Sequence, residues 1–91
     1  YALRAALAEH HGVSLAGVVV AAGADGVIDL LSQATLDPGD DIVCGWPSFP
    51  SYVLDAAKLG AESRKVPLQS DTYDLDGLLA AIGPRTKLVY V

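Results

Sequence analysis

The chain has 91 residues, of which 52% are hydrophobic, and a formal net charge of −5 at pH 7. This acidic balance lacks the basic footprint of a nucleic-acid-binding protein, and no apolar run reaches the roughly 18 residues that span a membrane. The one cysteine, Cys44, excludes an internal disulfide, suggests no metal cluster and fits a reducing compartment. We therefore expect a cytoplasmic protein that contacts neither nucleic acid nor membrane.

Both ends of the sequence have the character of internal segments. The chain starts on Tyr1, contains no methionine and stops inside the apolar run 88–91. Its apolar composition is also typical of the middle of a larger α/β protein. We expect residues 1–91 to be one partial domain, incomplete at both ends.

Helical and strand-like patterns alternate along the chain. Gly12 is the expected C-cap of the first helix, Pro50 suits a first helical turn, and Asp74 is the expected N-cap of the last helix. The predicted elements are, in order, a helix at Ala2–His11, a strand at 18–22, a helix at 24–36 with Val27, Ile28, Leu31 and Ala34 on one face, a strand at 41–45, a helix from Pro50 ended by Gly60, a strand at 62–68, a helix from Asp74 to the stop at Gly83 and Pro84, and a strand from Leu88.

This alternation predicts an α/β fold, a doubly wound and mainly parallel sheet with helices on both faces. The strand at 62–68 is the most polar, which suits an edge position. Right-handed crossovers place the turns that follow parallel strands at one edge of the sheet, where α/β proteins bind ligands. The turn at Gly23 and the junction at 46–52 should both open there.

The turn at Gly23 stands between a β-branched run and a helix. Such a turn aims backbone N–H groups and the positive end of a helix dipole at its occupant, which is usually phosphate. The stretch Gly23-Ala24-Asp25-Gly26 is neither a dinucleotide fingerprint nor a P-loop. From the residues alone, an ordinary strand-to-helix turn and an anion cradle both remain open.

The junction at 46–52 contributes three aromatic residues, Trp46, Phe49 and Tyr52. They either fill core space beneath the following helix or place one ring flat against a planar ligand. Phe49 is the best placed for the second role, because the prolines at 47 and 50 stiffen its loop.

Catalytic residues are not evident from spacing. No Ser–His–Asp set, paired carboxylate site or activated cysteine can be argued, and we expect Cys44 to pack in the core. The three lysines stand where solvated or sheet-edge lysines do, and the two histidines end a helix where a cation suits its dipole. We predict neither a catalytic residue nor a metal site in this chain.

The motifs taken together resemble the class I/II aminotransferases. The resemblance covers essentially the whole chain and includes Leu3-Arg4-x-x-Leu7-Ala8, Val20-x-x-Gly23-Ala24-Asp25, Asp37-Pro38-Gly39-Asp40-x-Ile42-Val43, Pro47-Ser48-Phe49-x-x-Tyr52, Gly60-Ala61 and Asp74-Leu75-Asp76-x-Leu78. Within this family, the chain is most similar to histidinol-phosphate aminotransferase and its aromatic-amino-acid relatives. Gly26 departs from the pattern, since many members have an acidic residue there.

This resemblance implies a fold type I enzyme that uses pyridoxal 5'-phosphate and works as a homodimer. It implies that the N–H groups of Ala24 and Asp25 hold the cofactor phosphate, that Gly23 permits its close approach, and that Phe49 stacks on the pyridine ring. Tyr52 would line the substrate side. The implied reaction is transamination between an amino acid, or a histidinol-phosphate-like amine, and a 2-oxo acid in amino-acid biosynthesis, histidine biosynthesis included.

The family's remaining active-site residues have no match here. They are the Asn-Pro-x-x-Pro-x-Gly motif, the aspartate beside the pyridinium nitrogen, the lysine that carries the cofactor and the arginine that binds the carboxylate. We therefore expect residues 1–91 to be a part of the large domain that is inactive alone. A lyase or decarboxylase of the same fold, and a non-catalytic α/β module for a phosphorylated ligand, remain alternatives.

The resemblance also predicts strand order. The strand from Leu88 should lie beside the strand at 41–45, which should lie beside the strand at 62–68. The segment 18–22 should lack a partner among these residues.

Overall fold

The computed structural model describes residues 1–91 as an α/β structure. In chain order its elements are α1 (Ala2–His11), a 3₁₀ turn (Leu15–Gly17), α2 (Gly23–Thr35), β1 (Asp41–Trp46), α3 (Pro50–Lys58), β2 (Glu62–Pro67), α4 (Leu75–Ala81) and β3 (Thr86–Tyr90). Apart from the strand expected at 18–22, the predicted elements are present, with ends that shift by a residue or two. None of the helices is both long and apolar enough to cross a membrane.

Three local predictions about helix ends are confirmed. Gly12 caps α1 in the left-handed conformation, with φ at 66°. Pro50 lies in the first turn of α3, where a missing N–H costs nothing. The Asp74 side chain accepts a hydrogen bond from the Gly77 N–H at 3.0 Å and so caps α4.

The sheet is parallel, with the order β2-β1-β3. This confirms the predicted strand order and the edge position of β2. β1 lies in the centre, and its residues 41–45 are all buried, whereas most of β2 is exposed. A central strand is covered by neighbours on both sides as well as by helices, which explains the apolar sequence of β1 after Asp41.

Helices cover both faces of the sheet, as predicted. On one face Ile42 of β1 belongs to a buried cluster with Leu36 and with Ala56 of α3. On the other face Gly45 lies against the ring of Tyr73, just before α4. A Cβ at position 45 would approach that ring to 2.3 Å, so a side chain there would have to displace Tyr73.

The segment 18–22 forms no strand. It has no ladder partner, and Val19 is 69% exposed. Arg4 of α1 holds its start, since the guanidinium donates to the carbonyl groups of Leu15 and Val18 at 2.9 and 3.0 Å. The β-branched run predicted a strand, but a strand needs a neighbouring strand with which to pair. The family resemblance indicated that this segment has no such partner among residues 1–91.

The buried face of α2 differs from the expected one. The helix buries Ile28 and Ser32, whereas Val27 and Leu31 are each 43% exposed. Together with Val19, Leu30 and Ala34, these two line an entirely apolar cavity of about 360 Å³. The apolar stripe was therefore assigned correctly as a helix face, but it does not pack against this sheet.

Two buried aspartates lie at the amino end of β1, opposite the edge where the Gly23 turn and the 46–52 junction were expected. Asp40 pairs with Arg85 at 2.7 Å and with Lys87 at 3.5 Å, and Asp41 pairs with Arg64 at 3.2 Å. The Asp37 N–H donates to Asp40 at 2.9 Å. This hydrogen bond first, and the two cations in addition, lower the pKa of Asp40 even though burial opposes the shift.

Asp40 should therefore stabilise the fold above its ordinary pKa of 3.8 and lose this effect as the pH falls through the lower folded value. We expect Asp40→Asn to lower the free energy of unfolding at pH 7 and to lower it less at pH 3. Urea unfolding of the full-length protein at the two pH values measures this difference. Glu9→Gln, on an exposed helix end without an ion pair, is the control. An equal loss at both pH values would show that the carboxylate charge of Asp40 is not the cause.

Candidate functional site

The N-terminus of α2 is uncapped. Gly23 has φ at 68°, a conformation that favours glycine, and a side chain there would meet no atom within 4 Å. The preceding residue, Ala22, has no side-chain oxygen to act as a cap. The first N–H to find a backbone acceptor is that of Gly26, which donates to the Ala22 carbonyl at 3.3 Å. The N–H groups of Gly23, Ala24 and Asp25 are therefore free.

Three free N–H groups at the start of a 13-residue helix can bind an anion. The Asp25 carboxylate does not occupy them, because it accepts a hydrogen bond from the Ser51 hydroxyl instead. The N–H groups thus have no acceptor within the chain. A phosphate group has the charge and the acceptor oxygens that this turn requires.

The contact between Ser51 and Asp25 joins the two predicted junctions. Ser51 lies in the first turn of α3, directly after the aromatic loop, and the hydrogen bond spans 26 residues of sequence. The Gly23 turn and the 46–52 junction, both expected at the carboxyl edge of the sheet, therefore contact each other through this hydrogen bond. Sequence reasoning did not find Ser51, since no local pattern distinguishes it from a solvated serine.

The three aromatic residues of the junction have different surroundings. Trp46 lies beneath the Lys65 ammonium, with 4.8 Å between the Nζ atom and the ring centroid. Tyr52 packs against the core cluster and stacks on Tyr90 of β3 at 3.9 Å, with 11° between the ring planes. Phe49 is 43% exposed and touches the edge of this stack, 5.8 Å from the Tyr52 centroid. Phe49 is thus the ring with an exposed face.

A cleft of about 600 Å³ opens beside the junction. It is lined by Pro47, Ser48, Phe49, Tyr52, Leu68, Asp71, Thr72 and Tyr73. Phe49 and Tyr52 therefore share one cavity, while Gly23, Ala24 and Asp25 lie outside its lining and connect to it through Ser51. Tyr73 is a further lining residue that sequence reasoning did not single out.

The groups most able to do chemistry lie away from this cleft. Lys58 pairs with Asp55 at 3.4 Å, Lys65 covers Trp46, and Lys87 pairs with Asp40. Cys44 is fully buried in β1, as predicted, and burial raises the pKa of its thiol. A buried neutral thiol is a poor nucleophile. The three lysines and Cys44 are therefore not placed to transfer protons to a ligand in the cleft. The residues that line the cleft can bind and orient such a ligand.

The residues present fit a ligand that has a phosphate and a planar ring. The α2 N-terminus offers three N–H groups to the phosphate, and Phe49 offers an aromatic face to the ring. The hydrogen bond between Asp25 and Ser51 fixes the two parts relative to each other. Pyridoxal phosphate has both a phosphate and a planar ring, so the residues present fit it.

Comparison with known proteins decides the family. The sequence model described as aminotransferase class I and II matches residues 1–91, the whole chain. The chain belongs to the class I and II aminotransferase family. Its α/β fold with a parallel sheet is that of solved aminotransferases, which confirms the predicted fold class.

Individual aminotransferases resemble the chain closely. It is 44% identical to the aromatic amino acid aminotransferase of Corynebacterium diphtheriae over 98% of this chain and 26% of that protein. It is 37% identical to the histidinol-phosphate aminotransferase of Moorella thermoacetica, over 100% of this chain and 24% of that protein. The crystal structure of the Sinorhizobium meliloti histidinol-phosphate aminotransferase in complex with pyridoxal-5'-phosphate matches with a TM-score of 0.77 at 32% identity, over 91% of this chain and 23% of that one.

The chain spans about a quarter of the length of the curated relatives it matches. These relatives are named aromatic amino acid aminotransferases as well as histidinol-phosphate aminotransferase, so the expected subfamily is supported only in part, and histidinol-phosphate aminotransferase is one of several similar kinds.

Proposed function

We propose that residues 1–91 are the part of a pyridoxal-phosphate-dependent aminotransferase that holds the cofactor, within the large domain of a cytoplasmic homodimer. The observation that carries the proposal is the free N-terminus of α2, joined by the Asp25–Ser51 hydrogen bond to the helix that begins directly after the exposed Phe49. Family membership and the relative solved with pyridoxal-5'-phosphate support it. The full-length protein would transfer an amino group from an amino acid to a 2-oxo acid.

Each site residue has a distinct task in this proposal. The N–H groups of Gly23, Ala24 and Asp25 bind the cofactor phosphate, and the open space at Gly23 lets it approach the backbone. Phe49 covers one face of the pyridine ring and excludes water from it. When bound, pyridoxal phosphate supplies an electron sink that stabilises negative charge on the substrate carbon. Tyr52 lines the substrate side of the cleft.

No lysine of this chain is placed to carry the cofactor. Lys58, Lys65 and Lys87 are engaged with Asp55, Trp46 and Asp40, away from the cleft. The proposal therefore assigns the covalent attachment, and the proton transfers that accompany it, to residues outside 1–91. What this chain contributes is binding and orientation.

We propose an aromatic amino acid as the amino donor, because several relatives that match over nearly the whole chain carry that description. The aromatic lining of the cleft, Phe49, Tyr52 and Tyr73, suits a planar side chain. Histidinol phosphate is the second candidate, supported by the Moorella thermoacetica relative.

The test is the visible absorption of the purified full-length protein, followed by addition of each donor. We expect a cofactor band that borohydride abolishes, and a shift of this band with L-phenylalanine or L-tyrosine that is faster than the shift with L-histidinol phosphate. A faster shift with histidinol phosphate would reverse the substrate assignment. A protein that shows no band and gains none with added pyridoxal phosphate would refute the proposed function.

A further inference from the structure

Two buried hydroxyl groups lie between α2 and β3 without a hydrogen-bond partner. They are the Ser32 hydroxyl, on a residue that is 1% exposed, and the Tyr90 hydroxyl. They lie close enough for the Ser32 hydroxyl to affect the pKa of Tyr90, yet neither has a hydrogen-bond partner. Burial is the main cause that raises the pKa of Tyr90, while the nearby Ser32 hydroxyl acts in the opposite direction. Unpaired polar groups are rare in protein interiors, so two such hydroxyl groups side by side need an explanation.

The Tyr90 ring is the innermost member of a row of three aromatic rings. It stacks on Tyr52 at 3.9 Å and 11°, and Tyr52 in turn contacts Phe49 at 5.8 Å and 42°. Tyr90 is fixed by its strand, because it pairs in register with the buried Cys44 of β1. The outermost ring, Phe49, lies on a loop and is 43% exposed. The row therefore connects a strand of the sheet to an exposed position beside the cleft.

We propose that Tyr90 is a positioning residue for the cofactor ring. Its own ring orients Phe49 through Tyr52, and its hydroxyl, beside Ser32, links this row of rings to α2. This inference rests on the proposed function. The hydroxyl end of Tyr90 meets the helix whose first turn carries Gly23, Ala24 and Asp25, and its ring leads to Phe49. Tyr90 thus fixes the distance between the phosphate-binding turn and the stacking ring.

The Tyr90 phenol stays protonated in this setting. Burial raises its pKa most, and the nearby Tyr52, Asp55 and Cys44 add to the rise. The hydroxyl therefore keeps its proton and stays available as a donor beside Ser32. Small errors in the placement of binding groups weaken binding. A fixed spacing between the first turn of α2 and Phe49 therefore strengthens binding of the cofactor.

The test compares variants of the full-length protein in their dissociation constant for pyridoxal phosphate and in the visible circular dichroism of the bound cofactor, which reports ring orientation. Tyr90→Leu removes the stack, and we expect the dissociation constant to rise by roughly two- to tenfold, as for loss of an aromatic pair, with a weaker dichroic band. Tyr90→Phe keeps the ring and should restore the band. Val89→Ala, at an exposed position of the same strand, is the control and should match wild type.

A second pair of variants tests the hydroxyl link even if Tyr90→Leu does not fold. We expect Tyr90→Phe and Ser32→Ala to raise the dissociation constant by similar small factors, and the double variant to be no worse than either single one. Additive effects, or no effect of any of the three, would overturn the link to α2. If Tyr90→Leu unfolds at a lower temperature but keeps the wild-type dissociation constant and dichroism, Tyr90 is structural only. Failure of the wild-type protein to bind pyridoxal phosphate would instead refute the proposed function.

Discussion

Phe49→Ala should raise the dissociation constant of pyridoxal phosphate about tenfold in the full-length protein, because it removes an aromatic face from the cofactor ring. The ring of Phe49 is 43% exposed and contributes little to the core, so the thermal stability of the cofactor-free protein should hardly change. Equilibrium dialysis against pyridoxal phosphate, together with thermal unfolding of the cofactor-free protein, measures both effects.

Two further variants serve as controls for Phe49→Ala. Phe49→Tyr keeps the aromatic face and should retain the cofactor, whereas Leu54→Ala removes a side chain that is 59% exposed on α3 and should have no effect. If Phe49→Ala lowers stability but leaves the dissociation constant unchanged, Phe49 is a packing residue and not the stacking ring.

Ile42→Ala should destabilise the fold by about 2–5 kcal/mol, the usual cost of a large cavity in a core. Ile42 is fully buried at the centre of the sheet, within the cluster that holds Leu36 and Ala56. Its loss loosens the packing of α3 and hence the aromatic loop that leads into this helix. Urea unfolding of the full-length protein measures the change.

Val89→Ala is the comparison for this variant, since Val89 is 40% exposed on the neighbouring strand and should lose well under half as much stability. Equal losses at the two positions would mean that the Ile42 cluster is not the core of this structure.

Local sequence signals predicted the helix ends and the turn at Gly23. Gly12, Pro50 and Asp74 act within one turn of their own helix, so their roles can be inferred without knowledge of the fold. The Gly23 turn is a local signal of the same kind. It left an ordinary turn and an anion cradle open, and the free N–H groups and the Ser51 contact now support the cradle.

Contacts between distant segments could not be predicted in this way. The Asp25–Ser51 and Tyr52–Tyr90 contacts join residues that are 26 and 38 positions apart, and the ion pairs of Asp40 reach Arg85 and Lys87. The apolar stripe of α2 was recognised, but periodicity cannot tell which neighbour covers it. The segment 18–22 shows the same limit, because β-branched residues indicate a strand without naming its partner.

The most direct test of the account is a crystal structure of the full-length protein with pyridoxal phosphate bound. We predict that phosphate oxygens lie within about 2.7–3.2 Å of the N–H nitrogen atoms of Ala24 and Asp25, and that the pyridine ring lies parallel to Phe49. A cofactor phosphate bound elsewhere, with the N-terminus of α2 in contact only with solvent, would contradict the assignment of Gly23, Ala24 and Asp25.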